Sequence, residues 1–219
     1  AVQASQVVLL DSDFSHMPQI VAEGRKIIGN IERSATLFLS KNIFSMLLAI
    51  FSIIAVLSYP LKPEQISLIT WFTISIPAFF LAVEPNERRI TGHFMKRVLL
   101  KALPASITDF VLIAGLMIFG IAFGVSEGDI SVAATFLLAV VGFMILYYIS
   151  RPMSRYRIAV LVVSIIAFIL SAYFLHWWFG VRTVSKKCMM LFVIFAAATE
   201  PCMRYLTKFF GFVERKFLK

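Results

Sequence analysis

Long apolar segments alternate with short polar connections along most of this chain. A helix that crosses the hydrocarbon core of a bilayer needs about 20 predominantly apolar residues, and about 17 suffice. Six segments meet this requirement: residues 35–59, 66–83, 102–124, 130–149, 158–179 and 188–205. The pattern therefore predicts an all-α polytopic membrane protein, a bundle of six transmembrane helices.

The start of the chain follows a different pattern. Residues 7–10 form a continuous aliphatic run, which is typical of a strand buried on both faces. Turn residues follow, and Pro18 suits the first turn of a helix. Apolar residues then recur at steps of three and four, which predicts one apolar helical face. One helix alone cannot cover both faces of such a strand. We therefore expect residues 1–30 to be the end of an α/β domain and residues 31–219 to be the transmembrane domain, with the helix continuing into the first span.

The composition is that of a membrane protein, and this determines how the net positive charge is interpreted. The chain is 60% hydrophobic and 15% charged, whereas soluble domains are about half apolar and about a quarter charged. The formal net charge of +9 therefore belongs to loops and lipid headgroup contacts, and it does not indicate a nucleic-acid partner. Cys188 and Cys202 form neither a metal motif nor a disulfide framework, and we expect them to be packing residues.

The basic residues of the connections predict the orientation. Sixteen Lys and Arg side chains fall on the side that contains both chain ends, and four fall on the other side. Positive charge is retained in the cytoplasm, so both termini are predicted to be cytoplasmic. Only the connection between the fifth and sixth spans, which contains Arg182, Lys186 and Lys187, disagrees with this distribution.

Two segments carry motifs that occur together in one known family. VVLLDSDFSHMPQIVAEGRKIIGNIERS joins an aliphatic run and an acidic turn to an amphipathic helix with E-G-R, and PEQISLITWFTISIPAFFLAVEPNE contains Pro77 and ends in E-P-N. The first resembles the end of the HAD-like phosphorylation domain of P-type ATPases, and the second resembles their sixth transmembrane helix. The matching residues are Phe14, Ser15, Glu23, Gly24, Arg25, Asn30, Asn42, Pro77, Ala78, Glu84, Pro85 and Asn86. Four further spans agree in number with the last four helices of a ten-helix pump.

The resemblance implies the carboxyl-terminal membrane portion of an ATP-driven cation pump in a bacterial-type plasma membrane. The parent pump would use ATP and Mg²⁺, whereas this chain has no D-K-T-G motif, T-G-D-G-x-N-D hinge or nucleotide domain. We expect no catalytic or cofactor-binding residue in the chain itself. Its implied partners are the transported cation, the bilayer and the rest of the ATPase: the first four helices and the actuator and nucleotide domains. The alternative is a self-contained six-helix channel or secondary transporter subunit without ATP chemistry, which would have no use for residues 1–30.

Pro77 predicts a break in the second span. Its missing N–H and its ring leave the carbonyl of Thr73 without a helical partner, and in lipid that carbonyl needs another partner. The hydroxyls of Thr70, Thr73 and Ser75 surround this position. Broken helices form cation sites in transporters, although neighbouring hydroxyls can also satisfy a simple kink. The resemblance favours the cation site.

The resemblance extends this site to the first span. Asn42 and Ser45 share a helical face, and Ser45 occupies the position of a glutamate that calcium and sodium pumps commonly carry. Ile74 and Thr70 similarly replace an aspartate and an asparagine of the family's sixth helix. The expected cation ligands are Asn42, Ser45, Thr70, Thr73 and Ser75. The chain resembles the bacterial calcium-pump-like branch of the family, so the ion is expected to be Ca²⁺. Hard divalent ions prefer ionised oxygen ligands, so the missing carboxylates, together with Lys41, leave a monovalent cation or a proton as the alternative unless the fourth helix supplies the charge.

Three charged residues inside the spans complete the candidates. Lys41 lies in L-S-K-N, similar to the T-K-N of the potassium/proton-exchanging branch, where the lysine acts as a built-in positive charge. Snorkelling to the headgroups is an equally good explanation. Asp109 and Glu200 are secondary candidates, because carboxylates within a membrane are usually functional. The family's ion sites lie mostly on its fourth, fifth, sixth and eighth helices, so a structural role is favoured for both, and Glu200 is expected to pair with Arg204.

Overall fold

The computed structural model describes residues 14–84 and 94–217, and within these ranges it contains helices and no β-strand. The α-helices are α1 (Met17–Ile54), α2 (Pro63–Thr70), α3 (Ile76–Val83), α4 (Phe94–Ala122), α5 (Glu127–Ile149), α6 (Arg155–Phe174) and α7 (Lys186–Phe217). A π-helical turn, Trp71–Ser75, joins α2 to α3, and we call these three elements together the broken span. Six spans in the described residues are long and apolar enough to cross a membrane, which confirms the predicted bundle.

Two predicted boundaries differ from the structure. α6 ends at Phe174, and residues 175–179, which were expected to belong to the fifth span, form turns that end at Gly180 with a φ of 62°. Most of these turn residues are apolar or aromatic, so the hydropathy continues after the helix has ended. α7 extends to Phe217 instead of ending near residue 205, because its last turns mix basic and aromatic residues that a purely apolar criterion misses. The predicted strand at residues 7–10 and the motif residues Pro85 and Asn86 lie outside the described residues.

α1 is one uninterrupted helix of 38 residues. At 1.5 Å per residue it is about 57 Å long, well beyond the roughly 30 Å of a hydrocarbon core. It begins with Pro18 in its first turn and contains no break near residue 30, as the sequence predicts. The apolar face predicted for its first half remains exposed, and Ile20, Ile27 and Ile31 each expose about half of their surface.

α4 and α5 form the centre of the bundle, and α6 and α7 are its most exposed spans. Glycines permit the closest helix contacts, as is usual where membrane helices pack without a hydrophobic driving force. A Cβ atom at Gly115 of α4 would lie 2.8 Å from the ring of Phe195 on α7. The backbone of α4 therefore packs directly against an aromatic ring of α7.

The carboxylate of Glu84, at the end of the broken span, is bound to the start of α6. It accepts hydrogen bonds from Ser154 Oγ at 2.8 Å and from Arg157 Nε, and Arg157 also donates to two backbone carbonyls of the α5–α6 connection. Burial raises the pKa of Glu84, but the bonds from Arg157 and Ser154 and the positive charges of Arg157 and Arg33 outweigh burial and hold that pKa below its usual value. The ion pair therefore fixes α3 against α6.

A second set of polar contacts joins α1 to its neighbours near the same end of the bundle. Asn30 Nδ2 donates to the Ala82 carbonyl of α3 at 2.9 Å. Glu32 forms ion pairs with Arg97 at 3.1 Å and with Lys101 at 2.5 Å, both on α4. α1 is thus attached at adjacent turns to the broken span and to α4.

Candidate cation site

The break predicted at Pro77 is present, and it takes the form of a π-helical turn. The Ile76 N–H donates to the carbonyl of Trp71, five residues earlier, instead of the usual four. Pro77 falls in the first turn of α3, where a missing N–H costs little. The wider turn accommodates the proline ring, which would clash with the Thr73 carbonyl in a regular helix. Single π-turns of this kind are frequent at functional sites.

α5 packs its backbone directly against this π-turn. A Cβ atom at Gly142 would lie 2.9 Å from Cγ2 and 3.2 Å from Oγ1 of Thr73. Such distances leave no room for a side chain at Gly142. Thr73 is only 2% exposed, and its hydroxyl donates to the Ile69 carbonyl at 2.8 Å. The hydroxyl of Thr73 is therefore held between the two spans.

Lys41 extends across the interface between α1 and the broken span. Its Nζ donates to Thr70 Oγ1 at 2.7 Å, and that hydroxyl donates in turn to the Ile66 carbonyl at 2.7 Å. Among the described residues, no carboxylate lies within ion-pair distance of this ammonium group. The ammonium of Lys41 is thus bound to the broken span.

A cavity of about 30 Å³ lies where α1, the broken span, α4 and α5 meet. A single water molecule needs about 10–15 Å³ on this measure, so the space suits one or two waters or one small ion. Its polar lining comes from Ser40 and Lys41 of α1, Thr73 of the π-turn and Asp109 of α4. Apolar side chains form the rest of the wall. The four polar groups therefore share one small enclosure.

Asp109 is the least satisfied of these groups. Its side chain is 4% exposed, and no hydrogen-bond partner for its Oδ1 atom occurs in the part of the chain that the structure describes. A buried polar atom without a partner costs about 1–3 kcal/mol, more if it is charged, and such groups usually have a functional explanation or an additional ligand. The Oδ1 atom of Asp109 is thus available to a water molecule or an ion in the cavity.

The other predicted ligands lie elsewhere. Asn42 and Ser75 are exposed, and neither lines the cavity. Ser45 Oγ shares a hydrogen bond of 3.0 Å with the Tyr59 hydroxyl. Of the five predicted ligands, the structure brings Thr70 to Lys41 and Thr73 to the cavity, and it leaves the other three apart from them.

Glu200 is the secondary candidate that the structure separates from the cavity. Its Oε1 pairs with Arg204 Nε at 3.0 Å on the exposed surface of α7, which confirms the predicted ion pair. Ser40 and Gly142 were not predicted, although both lie at the cavity. Within the described residues, no three His, Cys, Asp or Glu side chains converge as a metal cluster.

Comparison with known proteins identifies relatives for most of the chain. The calcium-transporting ATPase CtpE of Mycolicibacterium smegmatis is 35% identical over 182 residues, which cover 76% of this chain and 23% of that protein. CtpE of Mycobacterium tuberculosis is 35% identical over 184 residues, covering 75% and 22% respectively. The probable cation-transporting ATPase exp7 of Streptococcus pneumoniae is 33% identical over 180 residues, covering 78% and 23%. No family model matches the chain.

The chain spans less than a quarter of the length of these relatives. All three are named as cation- or calcium-transporting ATPases. The chain belongs to the family of P-type cation-transporting ATPases.

Proposed function

We propose that this chain forms the membrane part of an ATP-driven cation pump and carries part of the path of the transported cation. The observation that supports the proposal is the cavity at the π-turn, which is lined by the buried side chains of Asp109 and Thr73 and by Lys41. A span that is interrupted by proline and lines such a cavity is the usual construction of transporter ion sites.

The chemistry of the cavity suits a cation that has lost most of its water. Hard cations are bound by carboxylate, hydroxyl and carbonyl oxygens, and Asp109, Thr73 and Ser40 supply the first two kinds. Lys41 lines the same cavity, and once released from Thr70 its ammonium would compete with the bound cation for Asp109. Alternate occupation of the carboxylate by the cation and by Lys41 would provide a way to release the cation.

Calcium is the proposed ion, because two of the relatives reported above are named as calcium-transporting ATPases. A monovalent cation or a proton is the second candidate. It is favoured by one observation, since one carboxylate and one ammonium group face the cavity and a divalent ion would be neutralised poorly by this chain alone. A carboxylate on the pump's fourth helix would remove this objection.

The remaining parts of the pump supply the ATP chemistry in this proposal. Residues 1–30 would be the end of its phosphorylation domain and residues 31–219 its last six spans, in a plasma membrane with both termini cytoplasmic. ATP and Mg²⁺ would bind elsewhere in the parent protein. α1 would connect the phosphorylated domain to the cavity, because it runs from Met17 past Lys41 without interruption.

The experiment uses the full-length pump in lipid vesicles and measures ATPase activity against ion concentration. Thr73→Val keeps the shape of the side chain and removes the hydroxyl from the cavity, and we expect the apparent ion affinity to fall by about tenfold. Thr199→Val is the matched control, because Thr199 is 1% exposed on α7 and also donates to the carbonyl four residues earlier. Equal ion affinities for the two variants would contradict the proposal.

A further inference from the structure

A second and larger cavity, of about 460 Å³, lies between α4, α5 and α7. Three cationic side chains stand at it, Arg97 and Lys101 near the start of α4 and Arg151 directly after the end of α5. Deeper along both helices the lining becomes apolar, with Pro104 on α4 and Ile145 on α5. The cavity is thus cationic at one end and apolar at the other.

The three cations at this cavity differ in how they are paired. Glu32 forms ion pairs with two of them, at 3.1 Å from Arg97 and 2.5 Å from Lys101. Arg151 has no carboxylate partner among the described residues; it donates to the Tyr147 hydroxyl at 3.1 Å. The charge of Arg151 is therefore available to an anion.

The direction of the two helices sets the orientation of a ligand. Arg97 precedes Pro104 by seven residues, about 10 Å along α4, and Ile145 lies about 6 Å before the end of α5, which Arg151 follows. Both helices therefore change from apolar to cationic toward the same end of the bundle. Phe210 and Met203 of α7 extend the apolar wall on the third side. A soluble anion would contact the cations and leave this wall unused.

We propose that the cavity binds one anionic phospholipid, with its phosphate between Lys101 and Arg151 and an acyl chain along Ile145 and Met203. Basic pockets between membrane helices are a general means of binding anionic headgroups. The bound lipid would join α7, one of the two most exposed spans, to the buried α4 and α5. This site shares the side chain of Ile145 with the cation cavity but none of the polar groups that line it, and the proposal does not depend on the proposed ion.

The first test measures binding of phosphatidylglycerol by the full-length pump, purified in detergent, from the lipid-dependent rise in its melting temperature. Arg151→Gln should weaken this binding by about tenfold, since it removes a charged hydrogen-bond donor. Lys208→Gln is the control, because Lys208 lies on α7 outside the cavity and its loss changes the net charge equally. Equal affinities in the two variants would overturn the proposal.

The second test separates a phospholipid from a free anion and does not depend on the stability of Arg151→Gln. Thr207→Trp places a large side chain in the apolar part of the cavity and leaves the charges in place. Native mass spectrometry should then show loss of the one phosphatidylglycerol that the unaltered pump retains. Retention of that lipid by Thr207→Trp, or an equal rise in melting temperature of the unaltered pump with inorganic phosphate, would exclude the proposed site.

Discussion

Replacing Asp109 by asparagine removes the one carboxyl group that lines the cation cavity and leaves the size of the side chain almost unchanged. The side chain is 4% exposed, and its Oδ1 has no partner in the described residues, so the substitution breaks no observed hydrogen bond of that atom. Any loss of ion affinity in Asp109→Asn would therefore report on contact with the ion.

The size of the effect follows from the electrostatics of the cavity. Two unit charges about 4 Å apart interact by about 4 kcal/mol at an effective dielectric constant near 20. The desolvation of the carboxylate and the competing ammonium of Lys41 offset part of this attraction. We expect a net loss of about 1.4–2.8 kcal/mol, which corresponds to a tenfold to hundredfold weaker ion affinity.

The assay is the ion dependence of ATP hydrolysis by the full-length pump in vesicles, at fixed ATP and Mg²⁺. Glu200→Gln is the control, because Glu200 also lies within a membrane span but is exposed and paired with Arg204. The half-saturating ion concentration should rise in Asp109→Asn and stay constant in Glu200→Gln. An unchanged value in Asp109→Asn would refute the reasoning, provided that its melting temperature shows a folded protein.

Two further predictions concern the groups around Asp109. Lys41→Met removes the competing ammonium and its bond to Thr70. Ion binding should become tighter, and ATP hydrolysis should become slower because release of the ion is impaired. Equilibrium ion binding and the rate of ATP hydrolysis measure these two effects, and no change in either would mean that Lys41 only snorkels to the headgroups. Gly142→Ala places a Cβ atom 2.9 Å from Thr73 and should destabilise the pump by about 1–3 kcal/mol through overpacking. Gly128→Ala, with open space around its Cβ position, should leave the melting temperature nearly unchanged, and equal stabilities of the two variants would contradict the close packing of α5 on the π-turn.

The break in the second span could be predicted from the sequence because the effect of Pro77 is local. A missing N–H and a steric clash act within one helical turn, whatever surrounds the helix. The six spans could also be predicted from the sequence, since length and hydropathy alone identify them. The π-turn that relieves the clash was not predictable, because it depends on how α5 packs against Thr73 through Gly142.

The two cation ligands predicted on α1 could not be tested by sequence reasoning alone, because it does not give the orientation of the helix. Helical periodicity places Asn42 and Ser45 near each other, but it does not say which side of α1 faces the broken span. In the structure the buried side of α1 contains Ser40 and Phe44, and Asn42 lies about 200° around the helix from both. Asp109 was a visible candidate as a carboxylate inside a span, and only the packing of α4 against α1 brings it to Lys41 and Thr73.

Because α1 is unbroken, it can tilt as one rigid helix around its contact with α3. Asn30 is bonded to the end of α3 at 2.9 Å, and Lys41 lies eleven residues farther along the same helix. That distance is about 16 Å, so a tilt of about 10° around Asn30 moves Lys41 by about 3 Å. A displacement of this size is as large as the 2.7 Å bond between Lys41 and Thr70. A small rotation at the start of α1 is therefore enough to withdraw the ammonium from the broken span.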